Sequence, residues 1–460
     1  MTPLAGQPIL TAAVMRAAEA RAIAAGASIV SLMARAGEAV ADAVRRLQPG
    51  ADVLVLCGPG NNGGDGYVAA ASLAASGHPV RVAALGEPRS DAAREARARW
   101  SGPVEPLSNA APASVVIDAL FGTGLTRALE DEPAAALRRL VEAARWSLAI
   151  DLPSGVATDT GEVFGDVPRL DLTLALGAAK PAHVLEPAAS LSRTIRVADI
   201  GVAIESDVMT LARPRLAAPT SADHKYTRGL VAVIAGAMPG ASALAALGAA
   251  HGGAGYVLLL GSATDRLPHA VVRRRFSPQA LADERIGAVL VGPGLGRDDA
   301  AQEKLTAALA SDRPLVIDGD ALRLLDSDRL ATRLAPTILT PHGGEFTHLF
   351  GDGSGGKLAG TLAAARQSGA TVIHKGADTV IATPADEARI AIERAPWLST
   401  AGTGDVLAGL VAARLAASRD PLGAASEAVW LHTAAAQSLG PAFTADQLAA
   451  ALPAAIARCL

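Results

Sequence analysis

Two short glycine-rich segments put carboxylates and amides where an anionic ligand can be held. Asn61-Asn62-Gly63-Gly64-Asp65-Gly66 and Ala401-Gly402-Thr403-Gly404-Asp405 each follow strand-like sequence and open a helix-like run. Backbone N–H groups at such a junction point at the ligand, and the helix dipole favours negative charge there. The second segment carries its carboxylate in the turn itself. That suits phosphoryl transfer, in which the N–H groups meet charge developing on the phosphoryl oxygens while Asp405 takes the proton of an acceptor hydroxyl. A Gly-Asp pair before a helix is also an ordinary cap, so its company decides. Thr340-Pro341-His342-Gly343-Gly344-Glu345, Lys375-Gly376-Ala377-Asp378-Thr379 and Gly292-Pro293-Gly294-Leu295-Gly296 all follow strand-like runs in the same half.

The first segment is of another kind. Gly58, Gly60 and Gly63 spell G-x-G-x-x-G, the Rossmann turn, with Glu87 as the distant acid, but Pro59 and the Asn pair are unusual there. Asn-Gly favours a hairpin, yet Tyr67 to Ala75 continues as a helix. Glycines beside two amides form a dense array of donors and acceptors, fit for a dinucleotide or a monovalent cation. Asp118 ends an apolar run and precedes Phe121 to Arg127; Asp151 ends another and precedes Leu152-Pro153-Ser154-Gly155. Ligands of open parallel sheets bind beyond the carboxyl ends of strands, so Asn62, Asp118, Asp151 and Ser154 are expected at one mouth. Gly351 to Lys357 satisfies G-x-x-x-x-G-K, the start of a phosphate-binding loop. The next residue is Leu358 rather than Ser or Thr and no strand directly precedes, so this reads as a surface loop.

The elements that position these residues alternate. Strand-like runs at 52–57, 80–85, 115–120, 147–151 and 171–176 are separated by helical stretches at 64–76, 90–100 and 133–145, after two opening helices at 11–25 and 29–47. Residues 212–220 are proline-marked and unpatterned. The alternation then restarts, with strands at 230–235, 256–260, 288–291, 315–318, 338–340 and 372–375 and helices at 241–251, 299–310, 357–368, 404–417 and 422–438. This predicts an α/β chain with mostly parallel sheets in two unlike domains. The boundaries expected are 1–211, a linker at 212–224, and 225–460.

Composition supports that class. The 460 residues are 50% hydrophobic but only 3% aromatic, which fits alanine-rich helices packed closely on sheets. Net charge is −4, and Arg273-Arg274-Arg275 is an isolated basic cluster read as a solvated stretch, so no nucleic-acid partner is indicated. Cys57 and Cys459 build neither a disulfide framework nor zinc ligation. No secretory signal is visible, and the apolar run 242–260 is broken by His251 and three glycines, so a soluble cytoplasmic protein is expected.

Taken together these motifs resemble the bifunctional NAD(P)H-hydrate repair enzymes over nearly the whole chain. Residues 10–15 and 31–37, GPGNNGGDG at 58–66, DALFGTGL at 118–125 and DLPSG at 151–155 resemble the epimerase domain, a Rossmann-like three-layer fold. His224-Lys225, VGPGLG at 291–296, VIDGDAL at 316–322, LTPHGGEF at 339–346, KGADT at 375–379 and AGTGD at 401–405 resemble the ribokinase-like, ADP-dependent dehydratase. The resemblance implies a substrate that composition cannot reveal: NADH or NADPH with water added at C6 of the nicotinamide ring. It implies that Asn61, Asn62, Gly63, Gly64, Asp65, Gly122, Thr123, Gly124, Leu125, Thr126, Arg127, Ala128 and Asp151 line the epimerase site. Asn62, Asp118 and Ser154 would hold K⁺, with Asp151 and Lys180 as candidate proton carriers. In the dehydratase, Asp405 would be the base, and Ala241, Gly294, Gly296 and His342 would contact the hydrate. Lys375, Gly376, Ala377, Asp378, Thr379 and Gly404 would contact ADP, with Mg²⁺ on its phosphates. Small-molecule substrates, no membrane partner and a homo-oligomer are expected. Ala34 where Glu is usual, the loose glycine turn at 236–241 and Gly319 for Ala depart from the family pattern. A conventional ribokinase-like kinase fused to a non-catalytic nucleotide-binding module is the alternative at this point.

Overall fold

A computed structural model describes residues 1–262, 267–326, 330, 332–353 and 355–460. The chain divides into two compact units, Met1–Thr210 and Leu211–Leu460. Both are α/β.

The first unit is built on an 8-stranded sheet in the order Thr2–Pro3, Ser192–Ala198, Leu170–Leu176, Trp146–Ile150, Val115–Ala119, Val53–Cys57, Val80–Ala84, Val104–Pro106. Every pairing is parallel except that of the N-terminal edge strand. Val53–Cys57 and Val115–Ala119 are buried at every position, which explains why they read as unbroken apolar runs. Strand order reverses between these two, and the crevice beyond their carboxyl ends is where an open sheet receives a ligand. The edge strand Val104–Pro106 and, one strand in from the other edge, Ser192–Ala198 escape the sequence pattern because they are only partly buried and carry polar side chains.

Asn61-Asn62-Gly63-Gly64-Asp65-Gly66 is not a loop leading to a helix. Asn61 begins the helix Asn61–Ala75, so the motif forms its opening turns. Three glycines are poor helix formers, but packing overrides propensity here. A Cβ at Gly63 would collide with the Gly58 backbone, one at Gly64 would lie 2.6 Å from Met33 Cε, and one at Gly66 2.7 Å from Ala119 Cβ. The glycines thus lower the helix onto the sheet and onto the helix Ile29–Leu47.

In the second unit the strands run Val272–Arg274, Tyr256–Leu260, Leu230–Ile234, Ile286–Val291, Leu315–Ile317, Thr337–Leu339, Thr371–His374, Val380–Ala382, Ala388–Ile390. They are parallel as far as Thr371–His374 and antiparallel in the closing meander. That meander and the helix Ala445–Ala457 lie outside the elements expected from periodicity. The helices Pro239–His251 and Thr403–Ser418 share a core rich in alanine. A Cβ at Gly409 would collide with the Ala245 carbonyl, and one at Gly248 with that of Val406. This close approach is what the low aromatic content serves: it sets the start of Thr403–Ser418, and with it Asp405. Both cysteines are buried and free. Among the described residues no single helix is long and apolar enough to cross a membrane, and the apolar run 242–260 folds as the end of a helix, a turn and a strand.

Candidate active sites

A cavity of about 700 Å³ opens beyond the switch point of the first sheet. Its wall includes Asn61, Asn62, Asp65, Gly122, Thr123, Gly124, Leu125, Thr126, Arg127, Asp151 and Lys180. Gly63 and Gly64 are not wall residues but are buried behind it, and exposed Ala128 lies off it. At the floor Asp151 holds a left-handed backbone, φ 64°, which is costly for a residue with a side chain. Its carboxylate forms a buried ion pair with Lys180 and accepts from Leu176 N at 3.1 Å. The ammonium also donates to the Leu176 carbonyl at 2.7 Å. His183 braces both partners, its Nδ1 accepting from Lys180 N at 2.8 Å and its Nε2 lying 2.6 Å from the Asp151 carbonyl oxygen. Burial, then the Lys180 charge, pushes His183 down to about 4, so it is neutral. Nδ1 accepts, hence Nε2 carries the proton and donates to the Asp151 carbonyl.

Asp65 faces the same space and is 8% exposed. Burial, reinforced by the Asp151 and Glu19 charges, holds its carboxyl well above the usual range. Glu19 belongs to no motif in the sequence. It stands on the helix Ala12–Ala24, lines the cavity with Met15 and Arg16, and is raised by burial against the opposing pull of Lys180. A charged residue one position after buried Ala18 and four after buried Met15 is the available signal. Behind the wall Asp118 is fully buried and accepts from Ser154 N at 2.8 Å, Ser154 Oγ at 2.7 Å and Leu120 N at 3.1 Å. Burial raises it, and no cation among the described residues is near enough to offset that cost. The Asn62 amide nitrogen is buried without a partner among the described residues, and a Cβ on Gly122 would lie 2.9 Å from Asn62 Oδ1.

In the second unit the chemistry-bearing loops meet around Lys375. Its ammonium binds Asp318 Oδ1 at 2.8 Å, and Thr340 Oγ1 donates to the same oxygen at 2.6 Å. Burial pulls Lys375 down, but Asp318, Glu345 and Asp405 together hold it above its ordinary value. A Cβ on Gly404 would lie 3.6 Å from this ammonium, so the GTGD turn faces it directly. Gly402, at φ 89°, caps the helix Thr403–Ser418, and the Thr403 carbonyl is 2.9 Å from Nε2 of buried His432. Asp405, third in that helix, is pushed up to about 7 by burial first and then by Asp318, against the pull of Lys375. Two loops stand opposite. Gly294, at φ 61°, accepts from Met238 N at 2.9 Å through its carbonyl, and a Cβ on it would lie 2.9 Å from Ala241 Cβ. Gly296 N and Arg297 Nε both donate to Asp320, at 3.1 and 2.9 Å. His342 caps the helix Gly343–Phe350, its Nδ1 accepting from Gly344 N at 3.1 Å, and the carbonyl of its neighbour Pro341 accepts from Lys375 N at 2.8 Å. In the loop 375–379, Thr379 Oγ1 donates to the Gly376 carbonyl at 2.9 Å.

The segment Gly351 to Lys357 departs from the surface loop expected. Ser354 lies outside the described residues, but Gly356 and Lys357 open the helix Gly356–Ser368, and the Lys357 side chain is only 18% exposed.

Comparison with known proteins shows the family of each half. A family model described as NAD(P)H-hydrate dehydratase matches residues 231–458, and one described as YjeF-related protein N-terminus matches 30–182. The chain is 35% identical to the bifunctional NAD(P)H-hydrate repair enzyme Nnr of Pyrobaculum aerophilum, over 93% of this chain and 94% of the relative. It is 36% identical to that of Gloeobacter violaceus, over 96% of each. Among solved structures, an ADP/ATP-dependent NAD(P)H-hydrate dehydratase from Bacillus subtilis, co-crystallised with ATP and Mg²⁺, is similar at 28% identity and a TM-score of 0.47, over 54% of this chain and 95% of that one. The chain therefore belongs to the family of bifunctional NAD(P)H-hydrate repair enzymes, with the epimerase domain first and the dehydratase domain second.

Proposed function

We propose that the first unit interconverts the R and S C6 hydrates at Asp151, Lys180 and Asp65, and that the second unit phosphorylates the S hydrate with ADP and expels phosphate. C6 of the hydrate bears both the added hydroxyl and the ring nitrogen. Its configuration is erased when the hydroxyl loses its proton, the C6–N1 bond breaks and a carbonyl forms; re-closure on either face resets it. Such a step needs one group to take a proton and another to return one at nitrogen. Asp151, held by Lys180, is the acceptor, and Asp65, kept neutral by its surroundings, is the donor. The observation that carries this reading is a buried ion pair and, on the same cavity wall, a buried carboxyl whose proton affinity is raised by burial and then by the Asp151 charge.

The donor set around Asp118 fits a monovalent cation: one buried carboxylate without a cationic neighbour among the described residues, the Ser154 hydroxyl, and the Asn62 amide, which would turn its oxygen to the ion in place of the buried, unpartnered nitrogen. K⁺ held by Asn62, Asp118 and Ser154 would supply the positive charge that the buried Asp118 carboxylate lacks.

In the second unit Asp405 takes the proton of the C6 hydroxyl as its oxygen attacks the β-phosphorus of ADP, leaving AMP. Lys375 and the N–H groups of the GTGD turn meet the charge on the transferring group. Phosphate then departs from C6 where hydroxide would not, and loss of a C5 proton restores the ring double bond. Among the described residues no cluster of three acidic, His or Cys groups could hold a metal alone. Mg²⁺ is therefore expected to enter on the nucleotide's phosphates. The test is a mixed R/S hydrate with ADP, Mg²⁺ and K⁺, followed by recovery of NADH absorbance. Full recovery is expected. Recovery of the S portion alone removes the epimerase, and a stable phosphorylated product replaces the dehydratase by a conventional kinase.

A further inference from the structure

We infer that Lys357 is a positioning residue for the nucleotide: it neutralises Asp378 and ties down the loop 375–379 so that this loop can accept ADP. The inference rests on the reading of residues 375–379 as the nucleotide loop. A loop that must meet a polyphosphate anion carries a carboxylate, Asp378, that is itself 8% exposed. Left uncompensated, that charge would repel the ligand. Lys357 Nζ lies 2.5 Å from Asp378 Oδ1 and 3.4 Å from the Lys375 carbonyl oxygen, spanning the loop from its first residue to its fourth. The path between passes over Gly376, where a Cβ would sit 2.5 Å from the same ammonium. The lysine thus crosses the loop directly over the motif's glycine.

Lys357 is placed for this from below. Thr361 Oγ1 donates to its carbonyl at 2.7 Å and stands 3.2 Å from His374 Nδ1. His374 is stacked on Phe346 and pushed down to about 4 by burial and then by Lys357, so it is neutral and does not compete for Asp378. The spelling G-x-x-x-x-G-K therefore ends in a lysine that serves a nucleotide site, though not by cradling phosphate through its own loop. It works across a second loop, whose own lysine, Lys375, is turned the other way onto Asp318. Two lysines divide the labour: one meets the transferring group, the other prepares the loop.

The experiment is calorimetric titration of the full chain with ADP and Mg²⁺. Lys357→Gln and Lys357→Met both keep the stem packed and remove the charge. Each is expected to weaken ADP binding by about tenfold or more, while Lys357→Arg stays within about threefold and KM for the hydrate is unmoved. In an Asp378→Asn background the Lys357→Gln change is expected to cost less than about threefold, because the charge to be neutralised is gone. Unchanged ADP affinity in the folded variants overturns the inference, as does an equal loss with and without Asp378, or a parallel rise in KM for the hydrate. Gly404→Ala separates the two readings. If it weakens ADP and the Lys357 variants do not, only the role of Lys357 falls; if neither does, the nucleotide loops have been misplaced.

Discussion

Replacing the proposed base of the second unit should make the protein more stable while making it inactive, and by an amount that depends on pH. Asp405 is driven from an ordinary 3.8 to about 7 by burial and the Asp318 charge. Between those two values the folded protein keeps a proton that the unfolded chain has released. Stability is therefore greatest below the unfolded value and declines as pH rises towards 7, by about 1.36 kcal/mol for each pH unit crossed. The whole interval amounts to ~4 kcal/mol at pH 8, of which about 1.6 kcal/mol is already lost at pH 5. Asp405→Asn escapes that loss. Its unfolding transition should lie above that of the natural protein by ~8–16 °C at pH 8 and by clearly less at pH 5, on the usual ~2–4 °C per kcal/mol for a unit of this size. Scanning calorimetry without nucleotide checks this, with the first unit's transition as an internal standard. The same variant should lose ~10²–10⁴ in dehydration rate. The natural enzyme's kcat should climb with pH and level off above about 7. A gain that fails to grow between pH 5 and pH 8 would refute the assignment of a buried, charge-strained carboxyl at this turn.

Other perturbations separate the two units. Lys180→Met leaves the Asp151 carboxylate buried without its ammonium, which should cost ~3–5 kcal/mol in the first unit's urea unfolding and leave R hydrate unconsumed while S hydrate is still dehydrated. Wild-type consumption of R would remove this pair from the reaction. Asp118→Asn should abolish the rise in thermal stability of the first unit that KCl, compared with tetramethylammonium chloride at equal ionic strength, gives the natural protein. An intact K⁺ response would move the ion elsewhere. Gly409→Ala drives a methyl into the Ala245 carbonyl and should cost ~1–3 kcal/mol in the second unit, lowering dehydration but not R/S exchange. Equal loss of both activities would contradict independent sites.

Much of this architecture is legible because parallel strands buried on both faces leave unbroken apolar runs. Val53–Cys57, Val115–Ala119 and Ile286–Val291 are all of this kind. What escapes is whatever burial does not imprint. Ser192–Ala198 is half exposed and polar, and the meander Val380–Ala382 and Ala388–Ile390 is three residues a side. Asn61–Ala75 begins where propensity argues against a helix, since its glycines are there for the backbones and side chains they touch across space. Side-chain partnerships are the least legible. Nothing in the spacing of Lys357 and Asp378 announces an ion pair, because the two meet only through the strand and helix between them. Glu19 is hidden likewise, joined to Lys180 and Asp65 by a cavity and not by a motif.

On the proposed reading the two glycine–aspartate helices share a spelling and perform opposite proton transfers, and burial first, then the charges around each carboxyl, sets their proton affinities. Asp65 is the fifth residue of its helix and faces Asp151 and Glu19, with Lys180 the ammonium that balances them. That ammonium is already bound to Asp151, so ionising Asp65 as well would add an uncompensated buried charge. Its raised proton affinity suits it to the proposed role of donor. Asp405, third in its helix, also faces a carboxylate, Asp318, but one engaged by both Lys375 and Thr340. Its proton is held only to about 7, which places it near neutrality as an acceptor. In both sites the lysine is already bound to a neighbouring carboxylate, so what separates the two proposed roles is how strongly burial and the remaining acidic neighbours hold each proton.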